Sequence, residues 1–438
     1  MRSFGFAQRV PRGAVVLGVA LWASAAHGLE GQEVIDLPAA DRSISADFDE
    51  VFRIGSFEGE VWETFGDIAG TAFDAAGNLY LLDRQASLIT VIGPDGSFLR
   101  TIGGPGEGPG EFRMPLSFTV SRDGRVIVLD IGHRSYQLFD ASGAFERMVA
   151  MDFSSGVIRV GSLAPYPGGN AVVQAGGGSV QAMVSRGGGA PDAPTTRPVE
   201  LISLAGDVVE VSTLAEGWMP PPDQGSEAET QIEGGGVRIN MAGAMPRTWE
   251  PAMLTATLPD GAIAFSDSSA YAVKISNARG EVNRVLRRPL EPRRVTDRMQ
   301  DQERERQLEE LMAGDGPQMR MMVNDGSGGG AQAISPDAIR QIQENQIAQM
   351  RFYHELPVVN SVDASWTGKL WVQRRGEGLE EFGPIDVLTA EGQYVGTLPT
   401  GATEVPSAFG PNGAAAFVEE DDFGVPVVVV RRLPPVIN

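Results

Sequence analysis

The chain contains no cysteine. Disulfides, thiolate metal sites, a cysteine nucleophile and a lipid-modified cysteine anchor are therefore excluded. Histidine is nearly absent: His27, His133 and His354 are the only three, too few for a His-rich metal centre. Lysine occurs only at Lys274 and Lys369, so the 35 basic residues are almost all arginine, which we read as codon bias rather than phosphate binding. Fifty-seven acidic residues leave a net charge of −22. So acidic a chain repels phosphate backbones, and no nucleic-acid partner is expected. Long apolar runs are missing too. The one at residues 14–26 has thirteen residues, short of the roughly 20 that span a bilayer.

That run follows Arg2, Arg9 and Arg12 and ends in small residues around Ala26 and Gly28. A positive segment, a short apolar core and a small-x-small end predict a secretory signal peptide over residues 1–28. Its removal takes three Arg and moves the charge from −22 to −25. A monomer in the bacterial periplasm or medium, with no stable membrane insertion, is expected.

Glycine and proline, by contrast, are abundant: 55 and 29 residues, about a fifth of the chain. The apolar share of 42% is ordinary, so the chain can build a core and the excess belongs in turns. A repeat locates it. FDAAGNLYLLD (73–83), TVSRDGRVIVLD (119–130), TLPDGAIAFSD (257–267), DASWTGKLWV (363–372) and FGPNGAAAFV (409–418) each join two apolar strands by a tight Gly turn. PYPGGNAVV (165–173) is a weaker copy. The turn glycines are Gly77, Gly124, Gly169, Gly261, Gly368 and Gly413, a base period near 46, within the range of propellers. A second hairpin follows in most units, as in LITVIGPDGSFLRTIG (88–103), which makes four strands per repeat. The predicted fold is all-β: one six-bladed β-propeller over residues 29–438, with four-stranded blades. The last repeat lacks its fourth strand. Residues 50–55 are predicted to supply it and close the ring, leaving no blade edge unpaired.

Two stretches resemble a known family. DIGHRSYQLFD (130–140) is similar to the signature of NHL repeats, and IGGPGEGPGEFRMP (102–115) to their Gly-rich inter-blade linker. The resemblance is strong over 66–150, weaker over 249–286 and 356–430, and fails over 157–248 and 289–355. It extends loosely to exported bacterial six-bladed proteins of unknown role. It implies a fold rather than an activity.

Two insertions break the period. Residues 175–198 and 215–248 are rich in Gly, Pro and Ala and read as flexible loops. Residues 289–355 read as helical. Val295, Met299, Leu308, Leu311 and Met312 form a partial stripe in one helix over 294–312. Ser335-Pro336-Asp337 starts a second over 336–353. The pair either packs on the propeller or serves as a lid or docking element.

The Gly turns should mark one face, and the second-strand ends and inter-blade linkers the other. The linker face should carry Arg84, Glu107, Glu111, Arg113, His133 and Arg134 as ligand-binding candidates. Asp83, Asp130 and Asp267 each fall six residues after a turn Gly. They suit either Ca²⁺, a hard cation that takes oxygen ligands, or the N–H groups of the following loop. The resembled repeats carry the same Asp as a scaffold feature. No catalytic motif appears: Gly-x-Ser-x-Gly and His-Glu-x-x-His are missing. The favoured reading is an exported non-catalytic scaffold without cofactor. One face would bind a protein or a surface polymer such as a polysaccharide. The alternative is a calcium-dependent lactonase or lyase-type hydrolase with its site in the central channel. The apolar or small inner segments IAGTAF (68–73) and PAMLTATL (251–258) favour the first, and enzyme status stays open.

Overall fold

A computed structural model describes residues 32–438 except 57–58, 153–160, 176–195, 222–230, 235–236, 241–246, 278, 314–321, 324–331, 334–335, 380–381 and 422. The expected signal peptide lies outside these residues.

Six four-stranded antiparallel units repeat along the chain. Blade 1 runs Ile68–Phe73, Leu79–Asp83, Leu88–Ile92, Phe98–Gly103. Blade 2 runs Pro115–Val120, Val126–Asp130, Ser135–Phe139, Phe145–Ala150, and blade 3 Leu163–Pro165, Ala171–Ala175, Thr196–Ser203, Glu210–Trp218. Blade 4 runs Leu254–Thr257, Ile263–Ser266, Ala272–Ser276, Val282–Arg287, and blade 5 Val359–Ala364, Lys369–Arg374, Ile385–Thr389, Tyr394–Leu398. Blade 6 holds Ala408–Phe409, Ala414–Glu420 and Pro426–Arg432, and its outer strand is Asp49–Ile54. The chain is a six-bladed β-propeller, and strands from its two ends pair antiparallel, Phe52 opposite Val430.

The turn glycines explain themselves. All six sit at positive φ, from +73° at Gly169 to +93° at Gly368, where a Cβ would be strained. Between these turns, second and third strands such as Leu79–Asp83 and Ser135–Phe139 are buried at every position. Both sheet faces are covered because each blade has a neighbour on either side.

The core is accordingly six separate wedges, one between each pair of neighbouring blades. Tyr80 and Leu82 of blade 1 meet Phe118 and Val128 of blade 2, and Leu129 and Tyr136 of blade 2 meet Val172 and Ile202 of blade 3. Val199 meets Phe265, Val273 meets Val372, and Val387 meets Phe417. The wedge between blades 6 and 1 includes Ile54 of the closing strand with Leu81 and Val428. Fully burying one such Leu, Val or Phe contributes about 1.5–3 kcal/mol, so each wedge is cohesive in its own right.

The N-terminal segment does more than close the last blade. Glu33–Asp36 adds a parallel fifth strand to the outside of blade 4, along Arg284–Arg287. Ser43 then bridges to Thr397 on blade 5, and Asp49–Ile54 completes blade 6. Residues 33–54 thus form a belt over the outer edges of three successive blades.

The insertion between blades 4 and 5 contains two helices, α1 (Asp297–Ala313) and α2 (Pro336–Ala348). The expected apolar stripe on α1 is not what anchors it. Leu308 and Met312 are exposed, and Glu303 is the buried residue. Its carboxylate accepts bonds from Arg306 and Gln307 of the same helix, and Arg304 reaches outside the helix, donating to the Met350 carbonyl and lying over the Phe352 ring. Parts of the presumed loop 215–248 are strand: residues up to Trp218 extend blade 3, and Gln231–Gly234 pairs with Val237–Asn240. Leu214 and Ala215 are buried against blade 4, which is what extends that strand.

Candidate functional site

The Gly turns join inner to second strands on one face. The opposite face carries the second-to-third turns and the linkers from each outer strand to the next inner strand. Every sequence-predicted site residue lies on this linker face.

The three aspartates are staples. Asp83 accepts the backbone N–H groups of Gly66 (2.8 Å) and Asp67 (3.3 Å), which belong to the linker entering its own blade, and that of Ala86 (3.0 Å). Asp130 accepts from Arg113 and Met114 (both 2.9 Å) in the equivalent linker, from Gly132 (3.0 Å), and lies 2.8 Å from His133 Nδ1. Burial pushes the Asp130 carboxyl upward, yet these donors outweigh it and hold its pKa below the usual value. Asp267 accepts from Trp218 N–H (2.6 Å) and Lys274 Nζ (2.7 Å). The three sit in three different blades and are not brought together. Among the described residues, no three His, Asp or Glu side chains gather as a metal site would need.

The staple position has a charge-inverted form. In blade 4 the second strand is followed by Asp267 and the third carries Lys274, 2.7 Å apart. In blade 5 the matching positions hold Arg374 and Asp386, 3.4 Å apart. Asp386 is joined at 2.8 Å by Arg288 Nη1, and both of those side chains are fully buried.

The six ligand-binding candidates divide. Arg84 is paired with Asp67 at 2.9 Å. The others surround the Gly-rich linker between blades 1 and 2. Glu107 and Arg113 form an exposed pair at 3.6 Å, and the Glu111 carboxylate accepts Gly108 N–H at 2.8 Å. His133 is held by Asp130, and its Nε2 is buried without a hydrogen-bond partner. Arg134 takes a left-handed backbone, φ +54°. These groups mostly brace the linker.

Sequence reasoning missed several exposed apolar side chains of this face. Phe423 is 86% exposed, Phe382 65%, Met114 52% and Trp218 43%. Phe382 and Phe423 occupy the second-to-third turns of blades 5 and 6. Their context is the same: Glu-Glu-Phe-Gly at 380–383 and Asp-Asp-Phe-Gly at 421–424. An aromatic placed in a polar turn twice at equivalent points was the available signal. Beside the second turn a cleft of about 600 Å³ opens between blades 6 and 1. Ile68, Val418 and Pro426 line it together with Asp67, Glu404, Glu419 and Glu420.

The inner strands carry one carboxylate, Asp363 in blade 5. Ser361 Oγ donates to it at 2.8 Å. Burial pushes its pKa to about 6 against this bond.

Comparison with known proteins agrees with the fold. The sequence family described as a 6-bladed beta-propeller (DUF5128) matches residues 65–170, from the linker entering blade 1 into blade 3. No curated protein matches the chain. A protein from Bacteroides fragilis described as exported is similar in structure, with 11% identity, TM-score 0.46, and coverage of 92% of this chain and 99% of that one. A member of the DUF4221 family from Bacteroides vulgatus has 11% identity, TM-score 0.46, and coverage of 88% and 97%. Virginiamycin B lyase from Staphylococcus aureus has 12% identity, TM-score 0.35, and coverage of 85% and 97%. Among the described residues, no helix is long and apolar enough to cross a membrane.

Proposed function

We propose that the chain is an exported, non-catalytic propeller whose linker face binds a protein or a surface polymer. The supporting observation is that Met114, Trp218, Phe382 and Phe423, at four points around the ring, are each exposed on that face. Three of the four are aromatic, the residue type enriched in interaction surfaces. Asp83 and Asp130 are engaged by linker N–H groups and Asp267 by Trp218 N–H and Lys274, which supports the binding reading over the lactonase one. Export rests on the N-terminal sequence. The NHL-like reading rests on residues 102–140, where the Asp130–Arg113 staple gives the resembling motifs a common structural purpose.

The test is a binding screen of the labelled chain against immobilised envelope proteins and polysaccharides. Serine at 114, 218, 382 and 423 should abolish the strongest signal. Serine at Phe98 and Val208, exposed elsewhere, should leave it intact. Equal effects of the two sets would overturn the proposal.

A further inference from the structure

The linker face is uneven. Phe382 and Phe423 stand on neighbouring blades 5 and 6, and the acid-lined cleft lies between blades 6 and 1. In the cleft between blades 6 and 1, Asp67 is paired with Arg84, and Glu419 with Arg53 and Arg431. Glu404 and Glu420 are exposed, and neither carboxylate meets a cation among the described residues. Phe423 stands in the turn that borders this cleft, and Gly424 and Pro426 of the same turn line it. One blade away, Phe382 is likewise exposed in the second-to-third turn of blade 5.

Two chemistries for a cation are thus side by side. A carboxylate pair attracts it, and an aromatic face holds it through the ring quadrupole. A guanidinium uses both, because it is planar, stacks on rings and bonds carboxylates in a fork. The cleft volume falls within the roughly 300–1,000 Å³ of pockets that enclose ligands, so side chains can enter it. The aromatic turns of blades 5 and 6 continue the surface onto a blade that does not line the cleft, as suits a chain rather than a single ion. Phosphate-bearing polymers are repelled by the same charges.

We propose that blades 5, 6 and 1 dock an arginine- and lysine-bearing polypeptide segment of a partner, with a basic side chain in the cleft and neighbouring ones against Phe423 and Phe382. This rests on the linker-face reading above and names the partner's chemistry.

The experiment is fluorescence anisotropy of the full chain with a labelled peptide of alternating Arg and Ser, and with its Glu-Ser counterpart as control. The wild type should bind the basic peptide only, and more weakly as salt rises. Glu404→Gln with Glu420→Gln, and separately Phe423→Ala, should each weaken binding about tenfold. Glu305→Gln with Glu309→Gln removes the same charge from exposed positions on α1 and should change affinity less than about twofold. The altered side chains are exposed, and circular dichroism melts will confirm that each variant folds. Equal weakening by both double variants, or no binding by the wild type, would overturn the proposal. The screen above separates the two readings. A partner lost with the four-serine variant but retained by Glu404→Gln/Glu420→Gln refutes the cleft and leaves the face; a partner retained by both refutes both.

Discussion

Arg288 and Asp386 meet at 2.8 Å with neither side chain reaching solvent. The Arg288 guanidinium also donates to the carbonyls of Pro38 and Ala39 and to Asp41. Arg374 bonds the other Asp41 oxygen at 2.7 Å. Burial raises and the two Arg lower the Asp41 pKa, and the lowering wins. One buried cation therefore ties the belt to blades 4 and 5. Arg288→Met should destabilise the fold by about 3–5 kcal/mol, because Asp386 loses its best partner inside the protein. Adding Asp386→Leu should recover much of the loss. Urea melts measure both. Hydrogen exchange should rise at residues 37–42 in the single variant, and an unchanged pattern there would detach the belt from this cluster.

Asp363 should make stability depend on pH in the direction opposite to most carboxylates. Its folded pKa is about 6, above the ordinary 3.8. The folded state therefore holds its proton more tightly than the unfolded state. The favourable contribution is complete below the unfolded value and is lost as pH rises through about 6. Asp363→Asn should stabilise by about 1–2 kcal/mol at pH 7.5, after discounting for partial solvent access. At pH 4 the gain should vanish. Thermal melts at both pH values check the sign.

Gly103→Ala tests the linker between blades 1 and 2. Gly103 has φ +83°, and a Cβ there would lie 2.1 Å from the Phe112 ring. Backbone strain and displacement of a buried ring together should cost about 2–4 kcal/mol. Gly378→Ala, at φ +62° with nothing near its Cβ, isolates the backbone part and should cost about 1 kcal/mol.

Calcium should leave the melting temperature unchanged relative to chelator. Asp83, Asp130 and Asp267 are held by backbone N–H donors in separate blades. A calcium-specific rise not reproduced by magnesium would restore the lactonase alternative.

Local sequence carried the architecture because its demands are local. A tight turn at positive φ requires Gly, so Gly77 and its five counterparts announced each blade. The unbroken burial of Val126–Asp130 likewise shows as an apolar run. The start of the belt had no such signature. Glu33–Asp36 is short and half acidic, and it becomes a strand only because the edge of blade 4 offers unpaired backbone groups. Helix α1 was legible as a helix but not in its seating, since Arg304 bonds the Met350 carbonyl and lies over the Phe352 ring, contacts that no apolar pattern reveals. At the candidate site, charge drew attention to Arg84, Glu107 and Arg113, which are partnered in exposed pairs. The informative residues were apolar ones out of place, Phe382 and Phe423.

The belt also sets an order of events. Its first strand must wait for Val282–Arg287, and its last for Pro426–Arg432. A chain made from its N-terminus carries residues 33–36 without a partner until about two-thirds of it has emerged, and residues 49–54 until nearly all of it has. Early blades can form on the way, but the ring locks last. The segment that comes early in the chain is thus among the last to be fixed in place.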